Sequence, residues 1–171
     1  MIKRFFFTAL LLTLSQTLIA QTEDLKTRPN KQEINDLALQ VSRMSVQERN
    51  SRVAQILKNQ AGSKTPRSDF MFCTGLAYLG SYKAQMCVGN AYESGFGVVE
   101  DSSEAYTWYA LALENHITDE ADAKAVEATT ERLKGKLVSA YPHPTEDDLV
   151  DMVNSLKTRI AQYKEQIKAK K

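Results

Sequence analysis

Along this chain the apolar residues fall in steps of three and four, the interval at which an α-helix returns a side chain to the same face. After Asn30, positioned as an N-cap, Ile34, Leu37, Val41 and Met44 repeat at heptad-like spacing and predict a helix over 31–44. Ser45 and Glu48 form a capping-box pair that opens a second helix. Its apolar residues Val53, Ile56 and Leu57 stop short of the breaker-rich run AGSKTPRSD. Residues 69–80 are expected to form a third helix, and two more fill 84–116. Another covers 119–138, with Ala121, Ala125, Val126, Leu133 and Leu137 along its apolar side. The last begins at the Thr145 and Asp148 capping pair, where Leu149, Val153, Leu156, Ile160, Tyr163 and Ile167 form a narrow stripe. Such a stripe suits either packing onto the end of the helical array or self-association.

The stretch 84–116 is the most informative. Ala84, Gly89 and Ala91 interleave with Val88 and Tyr92, so that one helix face lets a neighbouring backbone come close. Gly95 and Gly97 break that helix, and Asp101 with Glu104 makes a capping-box-like pair that starts the next near Ser102. Ala105, Trp108, Tyr109 and Ala112 then line one side of it. In these residues the chain resembles the Sel1-like repeats, a subclass of tetratricopeptide-like α-solenoids. The family pattern is met at Ala84, Gly89, Tyr92, Gly95, Gly97, Val98, Asp101, Ala105, Trp108, Tyr109 and Ala112. Val88 stands where a leucine is usual and Ala91 where a methionine is. The match covers about a fifth of the chain.

A repeat of this kind cannot bury its apolar face alone, so neighbours are expected. At a shift of 36 residues, Phe72 and Cys73 fall under Trp108 and Tyr109, and Leu76 under Ala112, which makes 46–80 a degenerate copy. The resemblance implies an all-α fold, a short right-handed α-solenoid of antiparallel helix pairs. It would comprise the degenerate repeat 46–80, the repeat 84–116 and an additional solenoid helix at 119–138. An N-terminal helix at 31–44 and a C-terminal amphipathic helix with a basic tail, 145–171, would cap it. Its signature residues are expected to carry packing rather than chemistry.

At the amino terminus, Lys3 and Arg4 precede an apolar run from Phe5 to Leu14, and the small residue Ala20 closes the segment. This is the pattern of a secretory signal peptide over 1–20, followed by a flexible stretch, 21–30. The apolar run is too short for a stable bilayer anchor, so no membrane insertion is expected after cleavage. The expected destination is the periplasm, with secretion as the alternative. Losing Lys3 and Arg4 with the leader takes the formal charge from +1 to −1. A domain without basic excess is not expected to bind nucleic acid, and the terminal KEQIKAKK run fits a solvated helix end better than a phosphate site.

Cys73 and Cys87 lie on helices expected to be antiparallel neighbours, and in an oxidising compartment they are expected to pair as a disulfide; two buried free thiols are the alternative. His116 and His143 lie far apart and outside any spaced metal motif. Gly95-Phe96-Gly97 follows a helix rather than a strand, so it does not fit a nucleotide fingerprint. Neither metal nor cofactor is expected, and no catalytic residue is assigned. The resemblance implies a non-enzymatic adaptor or scaffold of the bacterial envelope, binding a protein or peptide partner through a groove faced by the first helices. Two alternatives stay open: a cell-wall-related enzyme or enzyme accessory, and a structural protein that self-assembles through its C-terminal helix.

Overall fold

A computed structural model describes residues 27–140 and 144–169. Among these residues the regular structure is entirely helical: α1 (Lys31–Ser42), α2 (Val46–Asn59), a 3-10 turn (Gln60–Gly62), α3 (Pro66–Tyr78), α4 (Tyr82–Ser94), α5 (Ser102–Glu114), α6 (Glu120–Ser139) and α7 (Glu146–Lys168). The expected signal peptide lies outside the described residues, as does His143.

Local chemistry sets most of the helix starts. Asn30 with Glu33, Ser45 with Glu48 and Thr145 with Asp148 each form a reciprocal capping box, satisfying two backbone donors that the first helical turn leaves free. Asp119 accepts from the Asp122 backbone N–H and starts α6. Helix α3 begins at Pro66, inside the run of breaker residues, because proline's fixed φ and missing N–H suit a first helical position. Helix α4 stops where Gly95 turns left-handed, with φ +67°.

Helices α3, α4, α5 and α6 pack in chain order, each against the next, while α2 lies against α4 and α3. Helix α1 packs on α3. The C-terminal helix is expected at the end of the array, but α7 instead lies across α5, α1 and α3. Its stripe is the reason: Leu149, Val153, Leu156, Ile160, Tyr163 and Ile167 are all buried inside the chain. Tyr163 meets Tyr78 of α3 edge-on, with ring centroids 4.8 Å apart, and Tyr78 in turn meets Trp108 of α5 at 5.4 Å. Lys157–Glu114 and Lys134–Glu146 ion pairs frame the outer side of the helix.

Two details of packing differ from the periodicity. In α6 the buried row is Val126, Thr130, Leu133 and Leu137, whereas Ala121 and Ala125 are exposed. Thr130 enters the core because its hydroxyl donates to Val126 O within the helix, leaving a methyl to pack. In α1, Ala38 is fully buried while Leu37 is only half-buried, and Leu37 backbone and Cβ atoms would lie 3.2 Å from a Cβ placed on Gly75. Gly75 therefore sets how closely α1 approaches α3.

Candidate functional site

Signature residues of 84–116 take up packing positions. Ala84, Gly89, Tyr92, Gly97, Ala105, Trp108, Tyr109 and Ala112 are buried, and Gly95 and Asp101 are half-buried. A Cβ on Gly89 would stand 3.1 Å from the Tyr109 ring, so this glycine seats the ring of the next helix. Gly97 has φ +70°, and a Cβ there would fall 2.3 Å from Pro66 O. The turn after α4 is thereby pressed against the start of α3. Cys73 and Cys87, both with no exposed surface, form a disulfide between α3 and α4 with Cα atoms 6.0 Å apart.

Where α3 begins and α4 ends, an open cleft of about 1060 Å³ runs between the 60–68 connection and the 94–97 turn, with Lys64, Pro66, Arg67, Asn90, Ser94 and Phe96 among its lining. Arg67 forms one wall. Its Nη1 donates to Gly97 O at 3.2 Å and to Thr27 O at 2.7 Å, and its guanidinium lies 5.5 Å from the Phe70 ring. Phe70 packs edge-on against Tyr92, carrying the cleft wall into the aromatic core.

Behind that wall the chain folds back on itself. Of the expected flexible stretch 21–30, residues 21–26 lie outside the described residues; in the remainder Thr27 is tied to Arg67, Asn30 caps α1, and Arg28 reaches the start of α5. Arg28 donates through Nη2 to Asp101 Oδ2 at 2.5 Å and through Nη1 to Glu104 Oε1 at 2.9 Å. Its guanidinium also sits 6.0 Å from the centroid of Tyr92. Asp101 serves two masters here: its Oδ1 caps α5 by accepting from Ser103 and Glu104 N–H, each at 2.9 Å. The predicted reciprocal capping box does not close: the Asp101 backbone N–H donates to Tyr92 O at 2.8 Å, and the Glu104 carboxylate turns to Arg28. Burial works against the charge on Arg28, but Glu104 and then Asp101 outweigh it and raise its pKa.

Next to Arg28 lies a small, partly open pocket of about 70 Å³ where five helices and the N-terminal segment meet. Tyr78, Tyr92, Trp108, Glu104 and Arg159 line it together with Arg28. Trp108 Nε1 is buried and has no hydrogen-bond partner among the described residues. Burial pushes the Tyr78 hydroxyl up to about 12, Arg159 opposing the shift. Burial also raises Tyr92, with Glu104 adding to the effect and Arg28 opposing it. Both phenols are therefore protonated donors at neutral pH. From Glu104 and Arg159 the surface continues into a groove of about 320 Å³ between α5 and α7, where Asp148 and Asp151 add two more carboxylates.

Sequence reasoning did not single out Arg28, Arg67 or Arg159, since nothing local marks a lone arginine whose partners lie on distant helices. Among the described residues, no three His, Cys, Asp or Glu side chains converge as metal ligands. His116 is exposed just past α5 with φ +53°, a left-handed conformation. No helix among the described residues is long and apolar enough to cross a membrane. No protein-family model, curated protein or solved structure matches this chain.

Proposed function

We propose that the chain is a Sel1-like interaction module of the cell envelope, a short solenoid that binds an extended protein segment without catalysing a reaction. The observation that carries this reading is the open cleft between the start of α3 and the end of α4, about 1060 Å³ in volume. It combines apolar walls at Pro66 and Phe96 with exposed polar groups at Lys64 and Ser94, the mixture by which grooves hold peptides. Asn90 and Ser94 bring to it the outer side of α4, the first helix of the 84–116 unit. The seating of Tyr109 on Gly89 agrees with a repeat whose small residues serve helix approach. A fully buried disulfide agrees with an oxidising compartment, the periplasm first and secretion second.

Self-assembly through the C-terminal stripe is less well supported, because that stripe is already covered by α1, α3 and α5. For the enzyme alternative, the strongly shifted groups beside the small pocket are tyrosines held protonated, which supplies no base or nucleophile near neutral pH.

Capture from envelope extract tests the proposal, comparing the wild-type chain with Lys64→Glu/Ser94→Arg. Both side chains are exposed, so the fold is expected to survive. A partner retained by the wild type and lost from the variant is the expected result. Identical captures by the two proteins would remove the cleft from the reading.

A further inference from the structure

Arg28 is held the way a bound ligand's side chain is held. Two carboxylates from one helix start grip its guanidinium, an aromatic ring lies beside it, and the Arg67 guanidinium fixes the carbonyl of the residue before it. Pro29 follows, so the backbone on that side has a fixed φ and no N–H to donate. Yet the fit is incomplete. The Arg28 side chain is 57% exposed, and the pocket beside it is lined by Trp108, whose buried Nε1 has no hydrogen-bond partner among the described residues. The surroundings are acidic beyond what one arginine neutralises: Glu104 lines the pocket, Asp101 holds Arg28 from its rim, and Asp148 and Asp151 lie along the adjoining groove, against Arg159 alone. Asp148 is partly committed to its cap with Thr145 and Asp101 Oδ1 to the α5 cap, so Asp151, together with Glu104 once Arg28 is displaced, faces a newcomer.

We propose that the pocket formed by Tyr92, Asp101 and Glu104 is a receptor for an arginine side chain on an extended segment of a partner protein, and that Arg28 occupies it in cis as an internal competitor. A partner segment can improve on Arg28 by placing a carbonyl against Trp108 Nε1 and a second basic residue along the Asp151 side of the groove. Because the competitor is tethered, it acts at an effective concentration of about millimolar, and a partner must exceed that or meet a chain whose Arg28 has been displaced. The inference rests on the interaction-module reading only in taking the occupant to be a peptide, since the pocket lies behind the open cleft and uses different residues.

Trp108 supplies the readout, being the chain's only tryptophan and a wall of the pocket. The probe is the blocked peptide Ala-Thr-Arg-Pro-Ala, with Ala-Thr-Ala-Pro-Ala as its control, titrated into wild type, Arg28→Ala and Arg28→Ala/Glu104→Gln. Arg28→Ala is expected to bind the arginine peptide saturably with a change in tryptophan emission. Wild type is expected to need roughly tenfold more peptide. The double variant should lose most of the response, added salt should weaken it, and the alanine peptide should give none. Should Arg28→Ala prove unfolded by circular dichroism, Arg28→Gln and the high-concentration wild-type titration decide in its place. Absence of saturable binding by folded protein, or equal binding of the two peptides, overturns the proposal and leaves Arg28 a structural strap. Loss of cleft-dependent capture with arginine binding intact would instead overturn only the cleft.

Discussion

Gly97 and His116 both occupy left-handed backbone, and substitution should move stability in opposite directions at the two sites. At Gly97 an added methyl meets the main-chain oxygen of Pro66, which has no flexible side chain to withdraw, so Gly97→Ala is expected to cost about 2–4 kcal/mol. At His116 the side chain is exposed and its conformation is the unfavourable element, so His116→Gly should gain about 0.5–1 kcal/mol after the flexibility of glycine in the unfolded chain is allowed for. Thermal denaturation followed by circular dichroism measures both; a melting point lowered by His116→Gly would contradict the second. The two glycines of the turn were legible as breakers because the requirement for positive φ is local. What Gly97 touches was not, since Pro66 lies on another helix. Arg28 is the sharpest case: its carboxylate partners are 73 and 76 residues away, and no local pattern announces such a contact.

Helix starts carry their own pH dependence. The Ser45 hydroxyl and then the Ser45 backbone N–H hold the Glu48 carboxylate below its ordinary 4.5, and Thr145 does the same for Asp148 below 3.8. A carboxyl with a lowered folded-state pKa stabilises the fold above its unfolded value, and the gain disappears as pH falls through the folded value. The melting point should therefore decline as acid is added from about pH 4.5 downward, and Glu48→Gln/Asp148→Asn should show a shallower decline over that window. Parallel pH profiles for the two proteins would mean that the caps do not titrate as described. These same pairs made α2 and α7 readable, because donor and acceptor lie three residues apart. The buried face of α6 was less readable: alanine is small enough to sit on either side, so Ala121 and Ala125 looked apolar without being buried.

At the scale of the whole molecule, a covalent bond fastens two consecutive helices and one long helix joins parts that the chain order separates. The Cys73–Cys87 bond closes a short loop across the α3–α4 interface, and in the chain-entropy account its loss costs about 3 kcal/mol. Cys73→Ala/Cys87→Ala should melt several degrees lower while keeping its helical spectrum. Because both cysteines are fully buried, a thiol reductant should open the native bond only as fast as the protein itself opens, and rapid reduction of the folded chain would show the interface to be looser than drawn. The all-helical class followed from spacing, whereas the course of α7 across α1, α3 and α5 did not, since a stripe of buried residues does not name the surface that buries it. That course also imposes a timetable. Helix α7 is made after every element it covers, so a nascent chain carries the Tyr78 surface uncovered until Tyr163 has arrived. Chaperones and proteases have their best access in that interval, and the arrival of the final helix closes it.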